Sequence, residues 1–128
     1  MAPKRMRNPQ QKHGFYLDEL VKNLRQVGEE PRDISWIIAE GIWLKERSCM
    51  YNSLCDLIVG YEGFSVNLLE LKGSKKKRQK ALLQLGSGVD FVKNHFPTYT
   101  IKELKIVYYT GGQYEYESFN QRGNRLRA

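Results

Sequence analysis

Two apolar runs folded about a single glycine constrain this chain most. Leu54-Cys55-Asp56-Leu57-Ile58-Val59-Gly60 and Phe64-Ser65-Val66-Asn67-Leu68-Leu69-Glu70-Leu71-Lys72 flank the turn Tyr61-Glu62-Gly63. Short apolar runs bounded by turn residues read as strands, here an antiparallel hairpin. Folding about Gly63 sets Gly60 opposite Val66, Ile58 opposite Leu68 and Asp56 opposite Glu70. Opposed residues hold their Cβ atoms roughly 4.5–5.5 Å apart. Strand alternation sends Glu70 and Lys72 to one face and Leu69 and Leu71 to the other, toward a core. Two carboxylates this close repel unless a proton or a cation lies between them. A divalent cation that prefers hard oxygen ligands, Mg²⁺ or Mn²⁺, is the natural one. A slip of one residue would turn Asp56 away and dissolve the arrangement. A bare Glu-x-Lys on a strand is most often an exposed ion pair. Here both acids stand inside apolar runs, where charge is costly unless paired or metal-bound.

Around the hairpin, Leu17, Leu20, Val21, Leu24 and Val27 recur at helical spacing and Gly28 follows as a stop, which predicts a helix over 15–27. Residues 34–46 read as a strand with Ile34, Trp36, Ile38, Glu40, Ile42 and Leu44 on one face. Residues 75–96 read as a helix burying Ala81, Leu82, Leu85, Val89 and Val92, strained near Gly86 and Gly88 and ended by Pro97. Strands follow at 103–110 and 113–119 across a Gly111-Gly112 turn. The order is helix, three strands, helix, two strands, an α/β or α+β class with a mixed sheet flanked by helices. Residues 15–119 form one expected domain, with loose basic arms at 1–14 and 120–128.

The chain has 128 residues, 21 Lys and Arg against 14 Asp and Glu, and a net charge of +7. A basic domain of this size points to a polyanion, most often nucleic acid. Lys75, Lys76, Lys77, Arg78 and Lys80 cluster at a helix start, where positive charge opposes the macrodipole. That misfit favours a phosphate-binding role, with Gln84 as a hydrogen-bonding neighbour. Tyr108, Tyr109, Tyr114, Tyr116 and Phe119 serve either to stack bases or, more ordinarily, as sheet core or a dimer face. His13 and His95 have no partners at ligand spacing and are expected to be structural or exposed. Cys49 and Cys55 are too few for a disulfide scaffold or a four-ligand zinc site. No apolar run approaches the roughly 18 residues of a membrane span, and residues 1–14 lack the apolar stretch of a secretory signal. The expectation is a cytoplasmic protein. No Ser-His-Asp motif, Walker loop or dinucleotide fingerprint is present in the sequence.

Asp56 entering one strand, thirteen residues, then Glu70-Leu71-Lys72 on the next, then a helix carrying Gln84-Leu85, resembles the PD-(D/E)xK nuclease superfamily over about residues 15–110. Cys55 stands where the motif usually has Pro. The resemblance implies a restriction-endonuclease-like αβββαβ core and hydrolysis of DNA phosphodiesters with Mg²⁺ or Mn²⁺. It implies Asp56 and Glu70 as metal ligands, the Leu71 carbonyl as a third, and Lys72 orienting or deprotonating the attacking water. Many members add an acid from the first helix. Glu19 is the choice here, with Glu40 its competitor. One compact domain with basic arms looks like the Holliday-junction resolvase branch, which implies a homodimer acting on four-way DNA. RecB-like and restriction-type nucleases remain alternatives within the superfamily. A non-catalytic nucleic-acid-binding protein is the rival from another class.

Overall fold

A computed structural model describes residues 9–39, 42–43, 55–110, 113–120 and 125–127. In chain order the elements are α1 (Pro9–Lys22), β1 (Ile34–Ala39), the short β2 (Ile42–Trp43), β3 (Leu57–Tyr61), β4 (Ser65–Lys72), α2 (Arg78–His95), β5 (Thr100–Thr110), β6 (Gln113–Phe119) and β7 (Arg125–Arg127). Single 3-10 turns lie at Leu24–Val27, Pro31–Asp33 and Lys75–Lys77. The strands make one mixed sheet in the order β2-β1-β3-β4-β5-β6-β7. β4 and β5 run parallel, joined through α2, and the other described pairs are antiparallel. This is an α/β architecture with a helix on each face of the sheet.

The β3–β4 hairpin takes the expected register, Ile58 against Leu68 and Gly60 against Val66. Its turn depends on left-handed backbone at Gly63 (φ +85°) and, at some cost for a residue with a side chain, at Phe64 (φ +61°). Alternation along these strands sorts the core into two layers. Leu57, Val59, Leu69, Leu71 and Val107 meet Leu17, Leu20, Leu24 and Val27 on the α1 side. Ile58, Val66, Leu68 and Ile106 meet Ala81, Leu85, Val89 and Val92 on the α2 side. α2 runs unbroken through Gly86 and Gly88, without the strain expected there. At Gly88 a Cβ would stand 2.6 Å from Leu68 Cδ2 and 2.8 Å from Cys55 Sγ, so the glycine sets how closely α2 sits on the sheet.

Several boundaries differ from the sequence reading. The first helix begins at Pro9, inside the expected arm, and ends at Lys22; the apolar stripe continues to Val27 through a 3-10 turn. Arg125–Arg127, expected as tail, pairs with β6. The strand expected over 34–46 is continuous only to Ala39, and a register shift between Ile34 and Trp36 breaks its single face. Ile34 therefore packs on the α1 side while Trp36 and Ile38 pack on the α2 side. Glu40, Cys49 and the Gly111-Gly112 turn lie outside the described residues. No helix among the described residues is long and apolar enough to cross a membrane.

Two long-range features lock the sheet. Lys105 and Glu29 are both buried and ion-paired, with the ammonium also donating to the Val27 carbonyl at 2.7 Å. Tyr61 and Asn67 donate to the same Glu29 carboxylate at 2.6 and 3.0 Å, so the buried acid is fully engaged. This ties the turn after α1 to β3, β4 and β5. The second feature is Trp36, which lies across Gly60 on the neighbouring strand. A Cβ built at Gly60 would fall 2.1 Å from the indole ring. Gly60→Ala is expected to destabilise the fold by about 2–3 kcal/mol through overpacking. Urea unfolding with the slope unchanged would measure it, and a loss below about 0.5 kcal/mol would mean the indole moves aside freely.

Candidate functional site

Asp56 occupies the bend immediately before β3. Because ladder pairing with β3 reaches only Leu69 on β4, the next β4 residues need other partners on that side. Asp56 and Glu70 supply them reciprocally. The Asp56 N–H donates to Glu70 Oε1 at 2.9 Å, and the Leu71 N–H donates to Asp56 Oδ2 at 2.8 Å. The two acids are thus laced together at the place the hairpin register predicts. Lys72 Nζ lies 3.3 Å from the other Glu70 oxygen and donates to Gln84 Oε1 on α2 at 2.6 Å. Gln84 therefore fixes the ammonium beside the acid pair.

The electrostatics follow from burial. Glu70 is 1% exposed, and the Asp56 and Lys72 side chains are 14% and 13% exposed. Burial and the Asp56 charge push the Glu70 carboxyl up to about 7, against the Asp56 amide and the Lys72 ammonium, which favour its ionised form. The Lys72 ammonium does not offset this rise. Cys55, next in sequence, is fully buried; burial, with the Glu70 and Asp56 charges behind it, pushes its thiol well up. It packs against Gly88 as a neutral apolar group, not as a nucleophile.

His13, expected to be structural or exposed, is half-buried beside the acid pair. Its Nε2 lies 2.9 Å from Asp56 Oδ2. α1 therefore reaches the acid pair through an imidazole. The signal is present in the sequence: His13 stands four residues before Leu17 on the stripe that continues through Leu20 and Leu24. A helix start at residue 15 hides it. Glu19 stands six residues further along α1, about 9 Å in rise, and lines a separate cleft with Tyr16, Asn23, Gln26, Gln113 and Tyr114.

Comparisons with family models, with curated proteins and with solved structures give no match. The resemblance drawn from the sequence therefore rests on the motif residues themselves. Their fit to a divalent cation can be judged from the donors. Two carboxylates and the Leu71 carbonyl are hard oxygen groups, the kind Mg²⁺ takes while keeping several waters. Among the described residues, no three His, Cys, Asp or Glu side chains gather closely enough to hold a metal alone. A cation here would draw its remaining ligands from water and from the substrate. The raised Glu70 carboxyl marks the same deficit of positive charge.

Lys75, Lys76, Lys77 and Lys80 are exposed beyond the site, on the 3-10 turn and the first turn of α2. The Ser74 hydroxyl caps that turn by accepting from the Lys76 N–H at 3.2 Å. Arg78 departs from the expected track. It is half-buried, ion-paired with Glu117 at 3.1 Å and set over the Phe119 ring. Tyr108 and Phe119 are buried in the α2-side core, and Tyr108 donates to Glu117 at 2.7 Å. Tyr109, Tyr114 and Tyr116 pack on the α1-side core. These aromatic residues are sheet packing, the ordinary role of the two considered. His95 stacks on Phe91 with ring centroids 4.3 Å apart.

Proposed function

We propose that the chain is a divalent-metal-dependent nuclease hydrolysing phosphodiester bonds in DNA. The observation that carries this reading is the reciprocal lacing of Asp56 and Glu70, with Lys72 alongside and the Glu70 carboxyl held near neutrality. The element order also supports it, since a helix, an antiparallel β1-β3-β4 run, a crossover helix and a parallel β5 match the core that the motif implies.

Asp56, Glu70 and the Leu71 carbonyl would hold Mg²⁺ or Mn²⁺. Such an ion lowers the pKa of bound water and neutralises charge developing on the phosphate. The chain's own groups do the rest. Gln84 holds the Lys72 ammonium at the site, where it orients a water and offsets negative charge on a scissile phosphate. His13 holds the Asp56 carboxylate at Oδ2, the oxygen that also accepts from the Leu71 N–H, a positioning role. The exposed lysines from Lys75 to Lys80 draw the phosphate backbone toward the acids, which would otherwise repel it. A four-way junction cut by a homodimer is the substrate and assembly that this reading expects.

The test uses end-labelled linear, single-stranded and four-way DNA with Mg²⁺, Mn²⁺ or EDTA. Cleavage should require the metal and be fastest on the four-way substrate, with a dimer in sedimentation. Cutting of linear ends by a monomer would move the reading to an exonuclease. Binding without cleavage on every substrate would replace it with a non-catalytic nucleic-acid-binding protein.

A further inference from the structure

Two residues of α2 stand where the fold does not need them. Leu83 is 74% exposed, although Leu85, Phe91 and Val92 on the same helix are buried. Gly86 follows three residues later, hence on the same face. Nothing lies within 4 Å of the point a Cβ would occupy there, so packing within the chain does not require glycine. An interior glycine nevertheless weakens a helix relative to alanine. Lys80, three residues before Leu83, continues this face toward the helix start, and Lys76 stands on the 3-10 turn just before the helix; both are exposed. Lys75 and Lys77 flank them. Asp90, also exposed, ends the positive stretch. Gln84, adjacent to Leu83, holds Lys72 at 2.6 Å, so this face borders the acid pair.

We propose that this face of α2 lies against DNA, with Leu83 entering a base step as an apolar wedge and Gly86 admitting close approach of the sugar-phosphate backbone. The charge decides the partner: a surface with four exposed ammonium groups at one end is complementary to a polyanion. Apolar side chains set among phosphate-binding cations commonly enter the minor groove and part a base step, and the unstacking is offset by greater wrapping of the DNA. At a branch point one stacked face is already open, so the wedge costs less there. The inference rests on the nucleic-acid reading and is independent of cleavage.

The experiment measures binding of the full chain to fluorescein-labelled four-way and linear DNA in EDTA, with 2-aminopurine at the branch as a reporter of unstacking. Leu83→Ala should weaken four-way binding about tenfold and remove the 2-aminopurine brightening, with Tm unchanged because the side chain is exposed. Gly86→Ala should raise Tm by roughly 3 °C while weakening binding. A residue that only supports the fold cannot give those opposite signs. Lys80→Ala should reduce the salt slope by about 0.9. Wild-type affinity in both Leu83→Ala and Gly86→Ala overturns the inference. If that protein still cuts DNA with Mg²⁺, the nuclease reading stands without it; brightening and binding with no cleavage in any metal leaves the wedge and removes the nuclease. Loss of a dimer in these variants, with DNA affinity retained, would make the face a contact between two copies and also overturn it.

Discussion

Glu70→Gln and Asp56→Asn are each expected to slow metal-dependent DNA cleavage by roughly a thousandfold, about 4 kcal/mol of lost transition-state stabilisation. Both substitutions keep the shape of the site. A glutamine carbonyl in place of the Glu70 carboxylate can still accept from the Asp56 N–H. An asparagine carbonyl in place of the Asp56 carboxylate can still accept from the Leu71 N–H. These are the two bonds that lace the hairpin end. What each substitution removes is one unit of negative charge from the proposed cation site. Alanine would be a poorer test, because it orphans a buried backbone N–H at about 1–3 kcal/mol and confuses folding with chemistry. If the two acids act as a unit on one ion, as proposed, the double substitution should be barely slower than either single one. Lys72→Met should cost roughly a hundredfold while DNA binding, measured in EDTA, stays near wild type. Single-turnover cleavage of labelled DNA separates these effects from product release. A Glu70→Gln protein that cuts within tenfold of wild type would place the chemistry elsewhere.

The acid pair is legible in the sequence because a hairpin is a local object. Gly63 fixes the turn, the apolar period fixes the faces, and the register then follows for Ile58 and Gly60, which brings Asp56 to Glu70 just beyond the ladder's end. Leu17, Leu20 and Leu24 are legible for the same reason, each being one helical turn from the next. What stays hidden depends on distant partners or on irregular backbone. His13 needs the start of α1, and a helix that opens on Pro9 without an acidic first turn gives little warning. The Ile34–Trp36 register shift is a break in the ladder that apolar periodicity cannot show. Nothing in the sequence marks Lys105 as buried, because its partner Glu29 lies 76 residues away. Arg78 belongs to a run of four cations by sequence, yet only folding reveals that Glu117 claims it. Glu19 is one choice among helix acids, since periodicity shows which face an acid shares but not which turn meets the sheet.

Stability should also depend on pH through Glu70. Its carboxyl titrates near 7 in the folded chain and near the ordinary value of 4.5 when exposed. Below 4.5 the group is neutral in both states and the fold carries no penalty from it. Between 4.5 and 7 the unfolded chain releases the proton that the folded chain retains, so stability falls as pH rises, and above 7 the loss is complete. A rise from 4.5 to about 7 corresponds to about 3 kcal/mol. In EDTA, wild type should therefore lose about 3 kcal/mol between pH 4 and pH 8 relative to Glu70→Gln, by urea unfolding. A divalent cation reverses the sign of the problem, because it favours the ionised carboxyl and displaces its proton. At a concentration about 100 times its dissociation constant it should restore about 2.7 kcal/mol to wild type at pH 8, and much less at pH 5. Glu70→Gln should show neither the pH slope nor the rescue. Parallel pH curves for the two proteins would mean that Lys72 alone satisfies Glu70, and the case for a cation between the acids would lose its electrostatic ground.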